Sequence, residues 1–280
     1  MQPGIITIVG AGLIGGSLGL AVKQRGLARI VRGVGRQQAS LERARALGAI
    51  DEGFVEPAAA LAGAALVVFC TPVDRIAEQV LAFAPHCSPG TLLTDAGSTK
   101  GTIVAAVEEH LPAGIAFVGS HPLAGSEKRG PNHADANLFE GRWTVVTRTP
   151  RTDTAALEKI VDFWQAVGAR VTIMTPDDHD RALAITSHLP HLLAAALAGI
   201  LPAELFDLTA TGFRDTTRIA AGDPGLWTAI CAHNREALLS ALAPLDERLR
   251  QFRRALESRD WTALESLLVQ AKKVRDALGN

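Results

Sequence analysis

The 280-residue chain contains no tyrosine, and that absence removes every reductase mechanism that relies on a tyrosine–lysine acid pair. Cysteine is scarce: Cys70, Cys87 and Cys231 lie far apart and form no C-x-x-C pair. This argues against zinc sites and a disulfide framework, and suits a reducing, cytoplasmic setting. An excess of one charge is missing too. Lys plus Arg number 28 against 29 Asp plus Glu, a formal net charge of −1. No basic field is on offer for nucleic acid, so anion selectivity must come from a few placed residues. No apolar run reads as long enough to span a bilayer, so no membrane partner is expected. The first apolar stretch has no basic segment ahead of it and is interrupted by Gly10, Gly12, Gly15 and Gly16, unlike a secretory leader.

What is present is a rhythm of short apolar runs and helical stretches. Ile5–Val9 is a β-branched run that reads as a buried parallel strand, and a glycine-rich turn after it opens a helix to about Arg25. Ile30–Val34 predicts a second strand and Ala39–Leu47 a helix. Leu66–Cys70, Leu92–Asp95 and Ile115–Val118 repeat the strand pattern. Alternation of this kind predicts βαβ units and a parallel sheet, which Trp143–Thr147 and Arg170–Met174 are expected to extend. After Met174 the strand signals stop. Thr175-Pro176-Asp177-Asp178 reads as a helix start, and Asp223-Pro224 repeats the device. Trp261, Leu264, Leu268, Ala271 and Val274 are spaced for one buried helix face. The fold class is therefore α/β, a Rossmann-type parallel-sheet domain over residues 1–174 followed by an all-helical domain over 175–280.

Gly10-Ala11-Gly12-Leu13-Ile14-Gly15 lies directly between a strand and a helix, the context a G-x-G-x-x-G fingerprint needs. Gly10 permits the tight turn, Gly12 lets the backbone approach a pyrophosphate, and Gly15 allows close helix–strand packing. The helix start presents free N–H groups to phosphate. Leu13 and Ile14 within the turn, and Thr71-Pro72 after the Leu66–Cys70 strand, complete the expected cofactor set. At the end of the second strand an acid would bind a ribose 2′-OH, but Gly35 stands there, followed by Arg36. Loss of the carboxylate and gain of a guanidinium favours NADP, or use of both NADP and NAD. A solvated Arg36, or one stacked on the adenine, is the bland alternative.

Two further segments follow predicted strands, at the sheet edge where open α/β folds bind ligands: Asp95–Gly101 and Gly119–Lys128. A third group lies in the helical part: Ser187–His191, Gly212–Arg218 and Asp223–Trp227. Together, in this order and across nearly the whole chain, these segments resemble the prephenate/arogenate (cyclohexadienyl) dehydrogenase family of tyrosine biosynthesis. The resemblance is to the bare catalytic unit, without a mutase or regulatory segment. It implies an oxidative decarboxylation in which hydride leaves C4 of a cyclohexadienol for a nicotinamide and carbon dioxide departs as the ring aromatises.

On that resemblance His121 matches the catalytic histidine that takes the C4 hydroxyl proton, a role suited to an imidazole. Ser98 matches the serine beside it, and as part of a Ser-Thr-Lys loop it also reads as an N-cap of the following helix. Arg218 matches the arginine that grips a substrate carboxylate, with Arg214 one turn earlier. His191 matches a substrate-binding histidine and shares a helix face with Ser187, although Pro190 must bend or interrupt that helix. Ser126 and Glu127 match pocket contacts, while Trp227 reads as a packing anchor. A His188/His191 metal pair has no local carboxylate or thiolate to complete it. The helical region is expected to form a homodimer interface, as the family's does.

Two other readings compete. One is a related NAD(P)-dependent hydroxy-acid or imine oxidoreductase, many of which place a lysine on the first long helix of the second domain. The stretch after Pro176 has no lysine there. The other is a nucleotide sensor without catalysis, which has no need for His121, Ser98 and Arg218 to converge.

Overall fold

A computed structural model of the chain describes residues 4–125 and 130–279. The first half alternates strand and helix: β1 (Gly4–Val9), α1 (Leu13–Gln24), β2 (Ala28–Val34), α2 (Gln38–Ala46), β3 (Glu52–Phe54), α3 (Pro57–Leu61), β4 (Ala64–Phe69), α4 (Val73–Phe83), β5 (Leu92–Asp95), α5 (Gly101–His110) and β6 (Ala116–Val118). The six strands form one parallel sheet in the order β3-β2-β1-β4-β5-β6. Successive side chains on a strand point to opposite faces, so the sheet builds two cores. Leu66 and Val68 pack with Ile6, Ile8, Leu18 and Val22 on one side. Val67 and Phe69 pack with Ile76, Val80, Leu93 and Ile103 on the other. Burial on both faces explains why these strands read as continuous apolar runs.

The expectation for Trp143–Thr147 and Arg170–Met174 is corrected. They do not extend the parallel sheet. After Gly119 the chain forms β7 (Ser120–Pro122), which pairs antiparallel with β8 (Trp143–Thr147). Then α6 (Thr154–Ala166) leads to β9 (Arg170–Met174), parallel to β8. The reversal at β7 puts these strands in a separate three-stranded sheet, order β7-β8-β9.

From Pro176 the described chain is helical, as the end of the strand signals after Met174 predicts: α7 (Pro176–Leu183), α8 (Leu189–Gly199), α9 (Thr211–Thr217), α10 (Pro224–His233), α11 (Arg235–Ser258) and α12 (Trp261–Ala277). Pro190 neither breaks nor sharply ends its helix. A π turn over Ala184–His188, closed by Leu189 N–H donating to the Ala184 carbonyl, widens the spiral just ahead of the proline. That gives the ring room where a regular turn would clash with the carbonyl four residues back. The result is a continuous 24-residue helix, Pro176–Gly199. Its length and composition would suffice to cross a bilayer, its most apolar 18-residue window having a mean hydropathy of 1.4. In sequence, its histidines and Pro190 cut it into shorter pieces.

By compactness the chain divides into Met1–Asn234 and Arg235–Asn280. The second unit is the hairpin of α11 and α12. The buried face expected on α12 is also corrected: Ala263, Leu264 and Leu267 are half-buried, whereas Trp261, Leu268, Ala271 and Val274 are exposed.

Candidate active site

The cofactor turn begins where β1 ends. Gly10 has φ +94°, and its N–H donates to the Val34 carbonyl at 2.8 Å. A Cβ there would lie 2.9 Å from both the Cys70 carbonyl oxygen and Thr71 Cγ2, so Thr71 packs against the turn. A Cβ on Gly15 would lie 2.1 Å from the Gly10 carbonyl oxygen, which is why the helix can sit so close to the strand. At Gly12, the N-cap of α1, an added Cβ meets nothing within 4 Å, and the first turn has no side-chain cap. These residues fit a dinucleotide pyrophosphate: three glycine positions, a close turn and a helix N-terminus. Leu13 and Ile14 are half-buried in that first turn, and Pro72 is the exposed N-cap of α4. Arg36 is exposed beyond the end of β2.

The second feature is built around β7. Ser120 is pinned from three sides. Its N–H donates to Asp95 Oδ1 at 3.0 Å, its hydroxyl donates to the Asp95 carbonyl at 2.5 Å, and Trp164 Nε1 donates to Ser120 Oγ at 2.9 Å. His121 follows, partly exposed, with its Nδ1 2.9 Å from His179 Nε2. His179 Nδ1 in turn lies 2.7 Å from Asp180 Oδ1. Burial of His121 in its dense surroundings, with the Lys100 ammonium and any proton gained by His179 or His188 adding, holds its imidazole well below the ordinary histidine range. An imidazole so placed is neutral at physiological pH and able to accept a proton. The segment after it reaches back to the cofactor turn: a Cβ on Gly125 would lie 3.7 Å from Ile14 Cδ1.

Ser98 lies half-buried at a bend in the loop between β5 and α5. It is not the cap of α5. The N-cap is Lys100, and the amides of Lys100 and Gly101 donate to Asp180 Oδ1 and Oδ2, each at 2.8 Å. A carboxylate from α7 does the work that the serine was expected to do. Burial alone would raise the Asp180 carboxyl; the bond from His179 and the two amides outweigh it and hold it below the usual range.

On the helical side, His191 is buried and stacks on Trp227, centroids 3.5 Å apart and planes 12° from parallel. Its Nδ1 is buried with no partner among the described residues. Ser187 lies half-buried on the π turn. Arg218 is exposed at the start of a 3-10 turn, Arg218–Ala221, that packs on α8. That turn ends at Gly222, where a Cβ would lie 3.0 Å from His191 Cε1. Arg214, one turn earlier and exposed, donates from Nε to Thr209 O and Oγ1, both at 3.3 Å. Ser126 and Glu127 lie outside the described residues. His188 is engaged as an acceptor from Asn234 Nδ2 at 3.0 Å.

A family model described as the prephenate dehydrogenase nucleotide-binding domain matches residues 18–173, and one described as the prephenate dehydrogenase dimerization domain matches 175–270. The chain belongs to the prephenate dehydrogenase family. It is 34% identical to a cyclohexadienyl dehydrogenase of Zymomonas mobilis, over 98% of this chain and 95% of that protein. The Aquifex aeolicus prephenate dehydrogenase, crystallised with hydroxyphenyl propionate and NAD+, superposes with a TM-score of 0.92 at 31% identity, covering 99% of both chains. A Synechocystis arogenate dehydrogenase gives 0.82 at 33% identity, covering 98% of this chain and 99% of that one.

Sequence reasoning passed over His179, Asp180, Lys100 and Asn234. The acids after Pro176 read as dipole compensation for their own helix, and Thr175 does cap it, accepting from the Asp178 amide. Asp180 instead serves a helix some 80 residues away in sequence. Only the His179-Asp180 doublet, a base beside an acid, could have drawn attention to it.

Proposed function

We propose that this protein catalyses the oxidative decarboxylation of prephenate, arogenate or both, giving 4-hydroxyphenylpyruvate or tyrosine. The observation that carries the reading is the near-complete likeness to an Aquifex enzyme holding hydroxyphenyl propionate and NAD+. A nicotinamide dinucleotide, when bound against Gly10, Gly12, Leu13, Ile14, Gly15, Thr71 and Pro72, supplies the hydride acceptor. His121 accepts the proton of the C4 hydroxyl as hydride leaves C4. The C1–carboxylate bond then breaks, its electron pair enters the ring, and the oxygen takes back a proton as carbon dioxide leaves. Ser98 orients the hydroxyl or the ring. Arg218 binds a substrate carboxylate, with Arg214, Ser187, Ser126 and Glu127 around it. The buried Nδ1 of His191, which has no partner among the described residues, supports its role as a substrate contact.

Arg36 supports use of NADP, alone or with NAD. We assign residues 1–174 to dinucleotide binding and 175–280 to substrate binding and homodimerisation. The exposed apolar residues of α12 and the dimerization-domain match support the second role. The Pro176–Gly199 helix carries buried His179, His188 and His191, the first two hydrogen-bonded within the protein, which supports a soluble, cytoplasmic enzyme. The test is an absorbance assay crossing prephenate and arogenate with NAD and NADP. Reduced nicotinamide in none of the four mixtures would overturn the assignment.

A further inference from the structure

Asp180 allows the proton positions to be followed atom by atom. Its carboxylate accepts from the amides of Lys100 and Gly101 and faces Nδ1 of His179. An ionised carboxylate only accepts, so His179 carries a proton on Nδ1. A neutral His179 then has only a lone pair at Nε2. That lone pair faces Nδ1 of His121 at 2.9 Å, so His121 carries its proton on Nδ1, and Nε2 is its bare nitrogen. The opposite arrangement needs a cationic His179. Burial opposes that charge first, and Lys100 nearby opposes it further, against the attraction of Asp180 and Asp95.

We propose that His179 and Asp180 are positioning residues that hold His121 in the one neutral tautomer whose Nε2 accepts the substrate's hydroxyl proton. The proposal rests on the reading of His121 as the base. A lone imidazole divides itself between two tautomers and rotates; here the ring is fixed at Nδ1 and its backbone is pinned through Ser120. Because Asp180 also caps α5, the anchor of this chain of bonds is backbone.

Nitrogen-15 NMR of the full-length, histidine-labelled protein near neutral pH reads the tautomer directly, with the His121 signals assigned by their loss in His121→Asn. Protonated Nδ1 and bare Nε2 are expected; protonated Nε2 overturns the proposal. Kinetics supply a second readout. His179→Gln keeps an acceptor oxygen near the position of Nε2, and His179→Leu does not. The glutamine variant should retain kcat within about tenfold, while the leucine variant loses roughly a hundredfold with both KM values little changed. Equal losses in the two overturn the proposal. An enzyme with Nδ1-protonated His121 that turns over neither prephenate nor arogenate overturns the functional reading and leaves the tautomer assignment standing.

Discussion

Lys100 and Asp95 form an ion pair in which neither side chain has any solvent exposure. Asp95 also accepts from the amides of Gly97 and Ser120, so the pair ties the end of β5 to β7, one residue from His121. Burial pulls the Lys100 ammonium down, and Asp95 opposes that pull. Removing one partner leaves the other charge buried and uncompensated. Lys100→Met should therefore cost about 3–5 kcal/mol in urea unfolding, and adding Asp95→Asn should recover part of it. A loss below about 1 kcal/mol would show that the site relaxes without the pair.

Proton removal is the role to test at His121. In His121→Asn we expect cofactor affinity to be retained and turnover to fall by roughly two orders of magnitude or more. Stopped-flow turnover with fluorescence titration of the cofactor checks both halves. Near-normal turnover would assign the proton to another group.

For Arg218, loss of a charged hydrogen bond to carboxylate should appear in substrate affinity. Arg218→Ala is expected to raise KM on the order of tenfold or more, with a smaller effect on kcat. An unchanged KM moves the anion contact elsewhere.

The parallel sheet and fingerprint were legible because burial on both faces writes itself as apolar runs, and because Gly10 and Gly15 sit where a Cβ has no room. The β7 strand was not legible: three residues, one of them a proline, carry no periodicity. Nor was the His121–His179–Asp180 chain, since tertiary packing joins His121 to His179 across 58 positions and Asp180 to the Lys100 amide across 80. The α12 face was read correctly as apolar but not as exposed, because spacing does not say what covers a helix.

At the cofactor end, Gly35 in place of an acid and the exposed Arg36 beyond it set the expectation for selectivity. Arg36→Ala should weaken NADP binding more than NAD binding, measured by titrating each with the same preparation. Equal weakening would retire the idea.

Acid should loosen the fold through the buried histidines. His188 is pushed down to about 4, by burial first, with His179 and His191 adding and Asp180 opposing. Between that value and the ordinary 6.5 the unfolded chain binds a proton that the folded chain refuses, so stability falls as pH drops through this window. The full contribution of His188 is about 3 kcal/mol. Chemical unfolding at pH 7 and pH 4.5 should show a shallower pH dependence in His188→Gln than in the parent. Identical slopes would place the acid sensitivity at other groups.

Residue 101 has a hydrogen where any other amino acid would have a carbon, and that carbon would come 2.9 Å from Asp180 Oδ2. The carboxylate could yield only by loosening its grip on the Gly101 amide, and its displacement would travel along the two imidazoles. A single methyl group on the backbone, touching neither ring, would thus reset the aim of the nitrogen assigned to the chemistry.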